Sequence, residues 1–429
     1  MAMKLAVMLC AVWIAVMPSF AQTRGLKPPR YESSGSAGAL ALAPTIPSQG
    51  AAALSSFLQE TVARGDVPAA VVMVVGPGAV LYHEAFGKLN VARNVTMPRD
   101  AIFRIASMTK AITSFAALML VDEGKLKLDD RVDTYLPAFR NREVFTTVDA
   151  AAGTYATRPA TKPITIRHLM THTSGMGYAW SQPPVALAQK KTGRLEPELP
   201  LLHEPGERWA YGASTRVLGD VVATVSKRSI DEVLRTRIFE PLGMNETGYD
   251  VPSAKHARVV TVHQRTNGKL VEQPNPASLA VMVRGDGGLY STARDYSAFL
   301  QMLLNGGRAA GKRLLSEGFM RELTRNQIGN LVVEQQPVAD TTRSRPYPLG
   351  AGQDKWSLGF QLAAPSSRAH QRSPGSYSWA GINNTYFWVD PARQIGVIVL
   401  MQVLPFYDES AIALLQGVEE RVNMHIRTE

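Results

Sequence analysis

Ser107-Met108-Thr109-Lys110 is the only Ser-x-x-Lys in the 429-residue chain. It follows an extended segment, Ile102-Phe103-Arg104, and opens a run of helical spacing. Side chains three apart on a helix share a face, so the Lys110 amine can reach the Ser107 hydroxyl. A serine hydroxyl is a poor nucleophile until a base removes its proton. Lysine is such a base only where burial or a nearby cation brings its pKa toward neutrality. The N–H groups at a helix start also favour negative charge on a reacting group. Taken alone, the segment reads more plainly as an N-capping serine and a surface lysine.

Two other segments carry compatible chemistry. Tyr211 lies in Pro205-Gly206-Glu207-Arg208-Trp209-Ala210-Tyr211-Gly212-Ala213-Ser214, at the mouth of a helix, where a phenol could share a proton with Lys110. The plain alternative is a half-buried aromatic packing the helix start. Ser378-Trp379-Ala380-Gly381-Ile382-Asn383-Asn384-Thr385 runs into a strand, and Gly381 permits close approach of a substrate to the backbone. A strand N–H here, with that of Ser107, would form an oxyanion hole. The alternative is a glycine-containing turn before an edge strand.

The elements that must bring these segments together follow from periodicity. Residues 51–64 carry Leu54, Phe57, Leu58 and Val62 at helical spacing. Residues 69–75 and 80–86 are extended runs across Gly76-Pro77-Gly78, an antiparallel hairpin. Helices are expected over 107–123, from 166 to 170, and over 213–226, 230–239, 293–304 and 408–426. Residues 129–136 read as a turn and short helix, and 140–163 as a polar loop. Strands are expected over 356–362, 385–389 and 395–403, with a turn at Asp390-Pro391. Strands near both ends with helices between imply an α/β (α+β) fold: one antiparallel sheet flanked by helices, plus a mostly helical lobe. The sheet lobe would take about 51–110 and 285–429, the helical lobe about 111–284, with the site in the cleft.

Six blocks in order resemble the class C β-lactamases and their relatives, the family VIII carboxylesterases. They are Phe103-Arg104-Ile105-Ala106-Ser107-Met108-Thr109-Lys110, Leu169-Met170-Thr171-His172-Thr173-Ser174-Gly175, Pro205-Gly206 with Tyr211, Phe239-Glu240-Pro241-Leu242-Gly243-Met244, Gly287-Gly288-Leu289-Tyr290-Ser291-Thr292 and Trp379-Ala380-Gly381. The resemblance runs from about residue 50 to the C-terminus. It implies Ser107 as nucleophile, Lys110 as proton acceptor and Tyr211 as general base or relay. It further implies oxyanion donors at the backbone N–H groups of Ser107 and Ile382, and substrate contacts from Trp379, Ala380 and Gly381. The implied activity is hydrolysis of a small-molecule ester or amide through an acyl-enzyme, without cofactor or metal.

The departures from that pattern favour an esterase. In the lactamases the tyrosine is followed two positions on by asparagine, where this chain has Ala213. Their strand lysine, which helps hold a substrate carboxylate, is here Trp379, a residue that suits an uncharged apolar group. A β-lactamase or D-alanyl carboxypeptidase, or a non-catalytic binder or sensor of the same fold, are the rival readings. Lys191-Thr192-Gly193 matches the lactamase triplet by letter, but precedes Tyr211 in a polar stretch and reads as a loop.

Other chemistries lack their signatures. There is no Gly-x-Ser-x-Gly elbow, Walker loop, Gly-x-Gly-x-x-Gly or His-Glu-x-x-His. His168 and His172 are four apart, but without a neighbouring carboxylate or third histidine they read as packing residues. Residues 1–21 read as a secretory signal: Lys4, an apolar stretch from Leu5 to Met17, Pro18 and the small residues of Ser19-Phe20-Ala21. Residues 22–50 read as a flexible lead-in rich in Gly, Ser, Ala and Pro. The expected destination is the periplasm or the exterior, with no membrane association after signal cleavage. Cys10, the one cysteine, would leave with the signal and exclude disulfides and thiolate chemistry. Net charge falls from +10 to +9 with the loss of Lys4. The basic residues form no run or aromatic-interleaved patch, which argues against a nucleic-acid partner. The oligomeric state is left open.

Overall fold

The computed structural model describes residues 43–428; the expected signal and most of the lead-in lie outside them. The last part of that lead-in is ordered. Pro44–Thr45 pairs antiparallel with Arg427–Thr428. Helix α1 (Ser48–Ala63) begins three residues earlier than the apolar spacing indicated, because its first turn carries no large apolar side chain.

The main sheet is built from strands β1 (Ala69–Val75), β2 (Val80–Asn90), β3 (Val95–Thr96), β4 (Lys355–Trp356), β5 (Gln361–Leu362), β6 (Tyr377–Gly381), β7 (Thr385–Asp390) and β8 (Ile395–Leu400). Their order across the sheet is β4-β5-β6-β7-β8-β1-β2-β3, antiparallel throughout. Both faces of the central strands are covered, so every residue of β1, β7 and β8 is buried. This is why these strands read as continuous apolar runs rather than alternations. Helix α2 (Thr109–Asp122) continues from the Ser107 segment and is buried from Thr109 to Leu120. Beyond it lie α3 (Ile166–Thr171), α4 (Pro183–Thr192), α5 (Ser214–Ser226), α6 (Ala293–Leu304) and α7 (Glu409–His425). Helices α1 and α7 pack on each other, and α6 packs on β8 and β1. The α1–α7 contact needs Gly417, where a Cβ would stand 2.2 Å from the Phe57 ring.

Several sequence expectations are corrected. Residues 140–163 contain a hairpin, Glu143–Asp149 against Thr154–Pro159, rather than a loop. A second hairpin, Val262–Thr266 against Lys269–Gln273, also lies in the lobe expected to be mostly helical. The first hairpin is largely exposed, and in the second the Val262–Thr266 strand is mostly half-buried while Lys269–Gln273 is the more exposed. Lys191-Thr192-Gly193 is the end of α4, with Gly193 as its left-handed cap, not a loop. The 356–362 run is two short strands, β4 and β5, around a turn. The 395–403 run ends at Leu400, and Val403–Leu404 joins Val262–Thr266 instead.

The turn between β6 and β7 is fastened by one buried side chain. Asn384 adopts a left-handed backbone, φ 57°. Its amide donates to the carbonyls of Val403 and Pro405, both at 2.9 Å. Its Oδ1 accepts from the Tyr386 hydroxyl at 2.5 Å and the Tyr407 amide at 3.0 Å. Asn384→Ala strands these partners in the interior, and we expect a loss of about 3 kcal/mol in chemical denaturation. A loss under about 1 kcal/mol would show that the turn is held by other means.

Candidate active site

The Ser107 segment is clamped from both sides. Phe103–Arg104 pairs with Tyr290–Ser291, and the Ile105 amide donates to the Leu289 carbonyl at 3.0 Å. Ala106 is then forced to φ 45°, a conformation that L-residues adopt at a cost. Ser107 itself sits in a short 3₁₀ turn, Ala106–Met108, that precedes α2 rather than inside the expected continuous helix. The strand β6 crosses close behind: a Cβ on Gly381 would lie 2.3 Å from the Ile105 carbonyl oxygen. Only glycine lets the strand and the Ser107 segment approach so closely.

Lys110 occupies the first turn of α2 and is 2% exposed. Its Nζ lies 2.9 Å from Ser107 Oγ and donates to the backbone carbonyl of Asp286 at 2.6 Å. Burial lowers the ammonium from its ordinary value to about 7; Asp286 opposes this and Arg284 adds to it. The Tyr211 ring lies 4.9 Å from Lys110 Nζ and the Tyr178 ring 5.3 Å. Burial also pushes the Tyr211 phenol well up, with Ser107 and Trp379 pulling the other way. At neutral pH the amine is therefore the group with an available lone pair, and the phenol keeps its proton.

Tyr211 is held from several directions. The Trp379 indole donates to its hydroxyl at 3.1 Å, and its backbone amide donates to Gln336 at 3.0 Å. Trp379 packs in turn on Trp356, ring centroids 4.7 Å apart. This places Trp379 differently from the sequence expectation. It is buried against Tyr211 and Trp356, whereas the cavity beside Ser107 is bordered by other residues, among them Ile382, Asn383 and Tyr178. Ala380 faces a separate small void with Trp379. Ser107 and Ile382, the two expected oxyanion donors, border the same cavity, of about 200 Å³.

Two residues close to Lys110, Asp286 and Tyr178, were missed in the sequence, and His172 takes the packing place expected of it. Asp286 presents its carbonyl to Lys110 while its carboxylate accepts from the Tyr178 hydroxyl at 2.5 Å. His172 packs on Tyr211, centroids 4.8 Å apart, and burial keeps its imidazole well below its ordinary pKa, with Lys110 adding to that. It stands just past α3 in a left-handed conformation, so His168 and His172 do not share a helix face. His168 instead closes a reciprocal cap with Thr165. Among the described residues no group of three or more His, Cys, Asp or Glu is placed to hold a metal. The available signal was adjacency: Asp286 directly precedes the Gly287-Gly288 block, and Tyr178 flanks the block ending at Gly175.

A family model described as Beta-lactamase matches residues 54–418. The chain belongs to that family. Protein Rv1367c of Mycobacterium tuberculosis is 31% identical to it over 381 residues, covering 84% of this chain and 92% of the relative. Esterase EstB of Burkholderia gladioli is 27% identical over 388 residues, covering 82% and 90%. Among solved structures, a mutant of simvastatin synthase (LovD) from Aspergillus terreus superposes with TM-score 0.75 at 23% identity, covering 88% of this chain and 95% of that one. This likeness shows the serine β-lactamase/transpeptidase fold in this family member.

The glycine contact gives a direct test of the placement. In this β-lactamase-family chain Gly381→Ala must displace either β6 or the Ser107 segment. Because angstrom-scale misplacement at a reacting centre costs on the order of 100-fold, we expect a fall of about that size in Ser107 acylation by an activated ester. Acylation within twofold of the parent, followed by mass spectrometry, would mean that the Gly381 contact has no bearing on reactivity.

Proposed function

We propose that the protein is a serine esterase that forms an acyl-enzyme on Ser107. The observation carrying this reading is the buried Lys110 amine, brought to about pKa 7 and set 2.9 Å from Ser107 Oγ. In its neutral form that amine accepts the Ser107 proton as Oγ attacks the ester carbonyl. The new C–O bond places negative charge on the carbonyl oxygen, at the position flanked by the Ser107 and Ile382 amides. Collapse of the tetrahedral adduct breaks the bond to the alcohol. The proton taken by Lys110 passes to the leaving oxygen, with the Tyr211 hydroxyl as relay. Water then attacks the acyl-enzyme by the same route in reverse, releasing the acid and restoring Ser107. The esterase among its relatives and the loss of the lactamase strand lysine at Trp379 support ester over lactam substrates. The apolar amino-terminal stretch and its small-residue cleavage site support export to the periplasm or exterior.

The test pairs 4-nitrophenyl butyrate with a chromogenic cephalosporin. We expect the ester to be the better substrate, and Ser107→Ala to abolish both its turnover and the acyl adduct seen by mass spectrometry. Dominant cephalosporin turnover would move the protein to the lactamases, and absence of turnover and adduct would make it a binder. Tyr211→Phe removes the relay hydroxyl but keeps the ring, with an expected loss of about 100-fold or more in kcat.

The pH profile follows from Lys110. Below pH 7 the amine is protonated and cannot accept the serine proton; above it the neutral form predominates. We therefore expect kcat/KM to rise with pH through an apparent pKa near 7 and then level off. A profile flat from pH 5 to 9 would exclude Lys110 as the base.

A further inference from the structure

Three arginines border the cavity at Ser107: Arg104, Arg284 and the exposed Arg343. They come from three distant segments, and the one carboxylate in the lining, that of Asp286, is already engaged by Tyr178. Arg104 is fixed by donating to Asn275 at 2.9 Å and to the Val260 carbonyl at 3.2 Å, with the Tyr290 ring beneath it. Arg284 sits 3.3 Å from Asp286 and is 43% exposed. The Arg343 side chain makes no hydrogen bond or ion pair among the described residues. Its backbone is nevertheless anchored: its amide donates to Asp340 at 3.1 Å and its carbonyl accepts from Phe406 at 2.8 Å. The nearby Asp340 carboxylate accepts from the Thr342 amide and hydroxyl, and the Arg343 charge and backbone amide are among the groups that hold it below its ordinary pKa, without a direct ion pair. An arginine on a fixed backbone, with its fork unpaired, is suited to bidentate capture of a carboxylate.

Part of the remaining lining is apolar, with Ser107 and Asn383 as polar members. Val281 borders the cavity with Trp180 and Ile382, and the next residue, Met282, is 67% exposed. An apolar wall beside a cationic rim selects an amphiphile rather than a plain hydrocarbon ester.

The geometry points to a substrate that is an ester bearing a carboxylate on an otherwise apolar body, the carboxylate held at the Ser107 cavity by Arg343 with Arg284 and Arg104. The inference rests on the esterase reading and narrows it. It also departs from the uncharged substrate that Trp379 alone suggested. The strand lysine that holds a carboxylate in the lactamases is missing here, and the positive charge is supplied from other segments of the chain.

The carboxylate can belong to the acyl or the alcohol part, and matched pairs separate the two. Mono-4-nitrophenyl adipate and its methyl ester test the acyl side; 4-acetoxybenzoate and its methyl ester test the alcohol side. Each enzymatic rate is divided by the hydroxide rate of the same compound. In the wild-type protein we expect the anionic member to exceed the neutral one in kcat/KM by about tenfold in one pair, the order expected of one charge-assisted contact. Arg343→Gln should reduce that ratio at least about fivefold, Arg343→Lys less, because lysine keeps the charge without the fork. The ratio should fall as salt rises from about 0.02 to 0.5 M, where screening shortens below 10 Å. Arg308→Gln, an exposed arginine outside the cavity, controls for net charge and should leave the ratio alone.

The inference is overturned if neither anionic ester is preferred while the neutral esters are cleaved in a Ser107-dependent manner. It is equally overturned if Arg343→Gln slows both members of a pair alike. Those results leave the esterase reading standing. If no ester is cleaved and Ser107 is never acylated, the esterase reading fails and takes this inference with it.

Discussion

An ammonium group loses most of its hydration when it is placed inside a folded protein, and nearly everything else at this site follows from putting Lys110 there. Lowering an amine from its ordinary range to about 7 corresponds to about 5 kcal/mol in favour of the uncharged form. Burial sustains that bias, and the two aromatic rings and the Asp286 carbonyl beside the amine offset only part of the lost hydration, with no carboxylate hydrogen-bonded to it. A carboxylate at that point would restore the ammonium and silence the base. Asp286 offers its backbone oxygen to the amine, while its charged oxygen is turned to Tyr178.

The same constraint explains the aromatic cluster behind Tyr211. A phenol that must stay protonated needs burial, and a phenol that must point at one oxygen needs a fixed ring. Trp379, Trp356, Trp209 and His172 supply both, with the Trp379 indole setting the hydroxyl direction. Where the resemblance would place a strand lysine, Trp379 instead packs on Tyr211 and donates to its hydroxyl.

Legibility in the sequence tracked how local each feature is. Helix α6 was read at its true ends because its apolar spacing and the Asn305-Gly306-Gly307 that follows it lie within one short segment. Strand β1 was likewise read residue for residue, since a buried run of valines flanked by Pro68 and Gly76 has few other uses. Ser107, Lys110 and Tyr211 were singled out because their blocks keep a fixed order, and the fold sets the Lys110 amine 2.9 Å from Ser107 Oγ and 4.9 Å from the Tyr211 ring. The hairpin at Glu143–Asp149 was invisible, since only Val144 is buried in that strand and most of its other residues are exposed, which leaves too few apolar positions to show an alternation. The surroundings of Trp379, Asp286 and Arg343 were out of reach for another reason. Each depends on which distant segment folds against it, and no periodicity encodes that.

The sheet joins the two ends of the chain, β1 lying directly against β8 and Pro44–Thr45 against Arg427–Thr428. During synthesis the all-buried β1 strand emerges early and has its outer partner only when the last few dozen residues have been made. Until then one apolar edge stays unpaired, and the nucleophile segment lacks the Gly381 strand that it packs against. The cleft is consequently assembled in a late, long-range step, with the slow folding expected of high contact order.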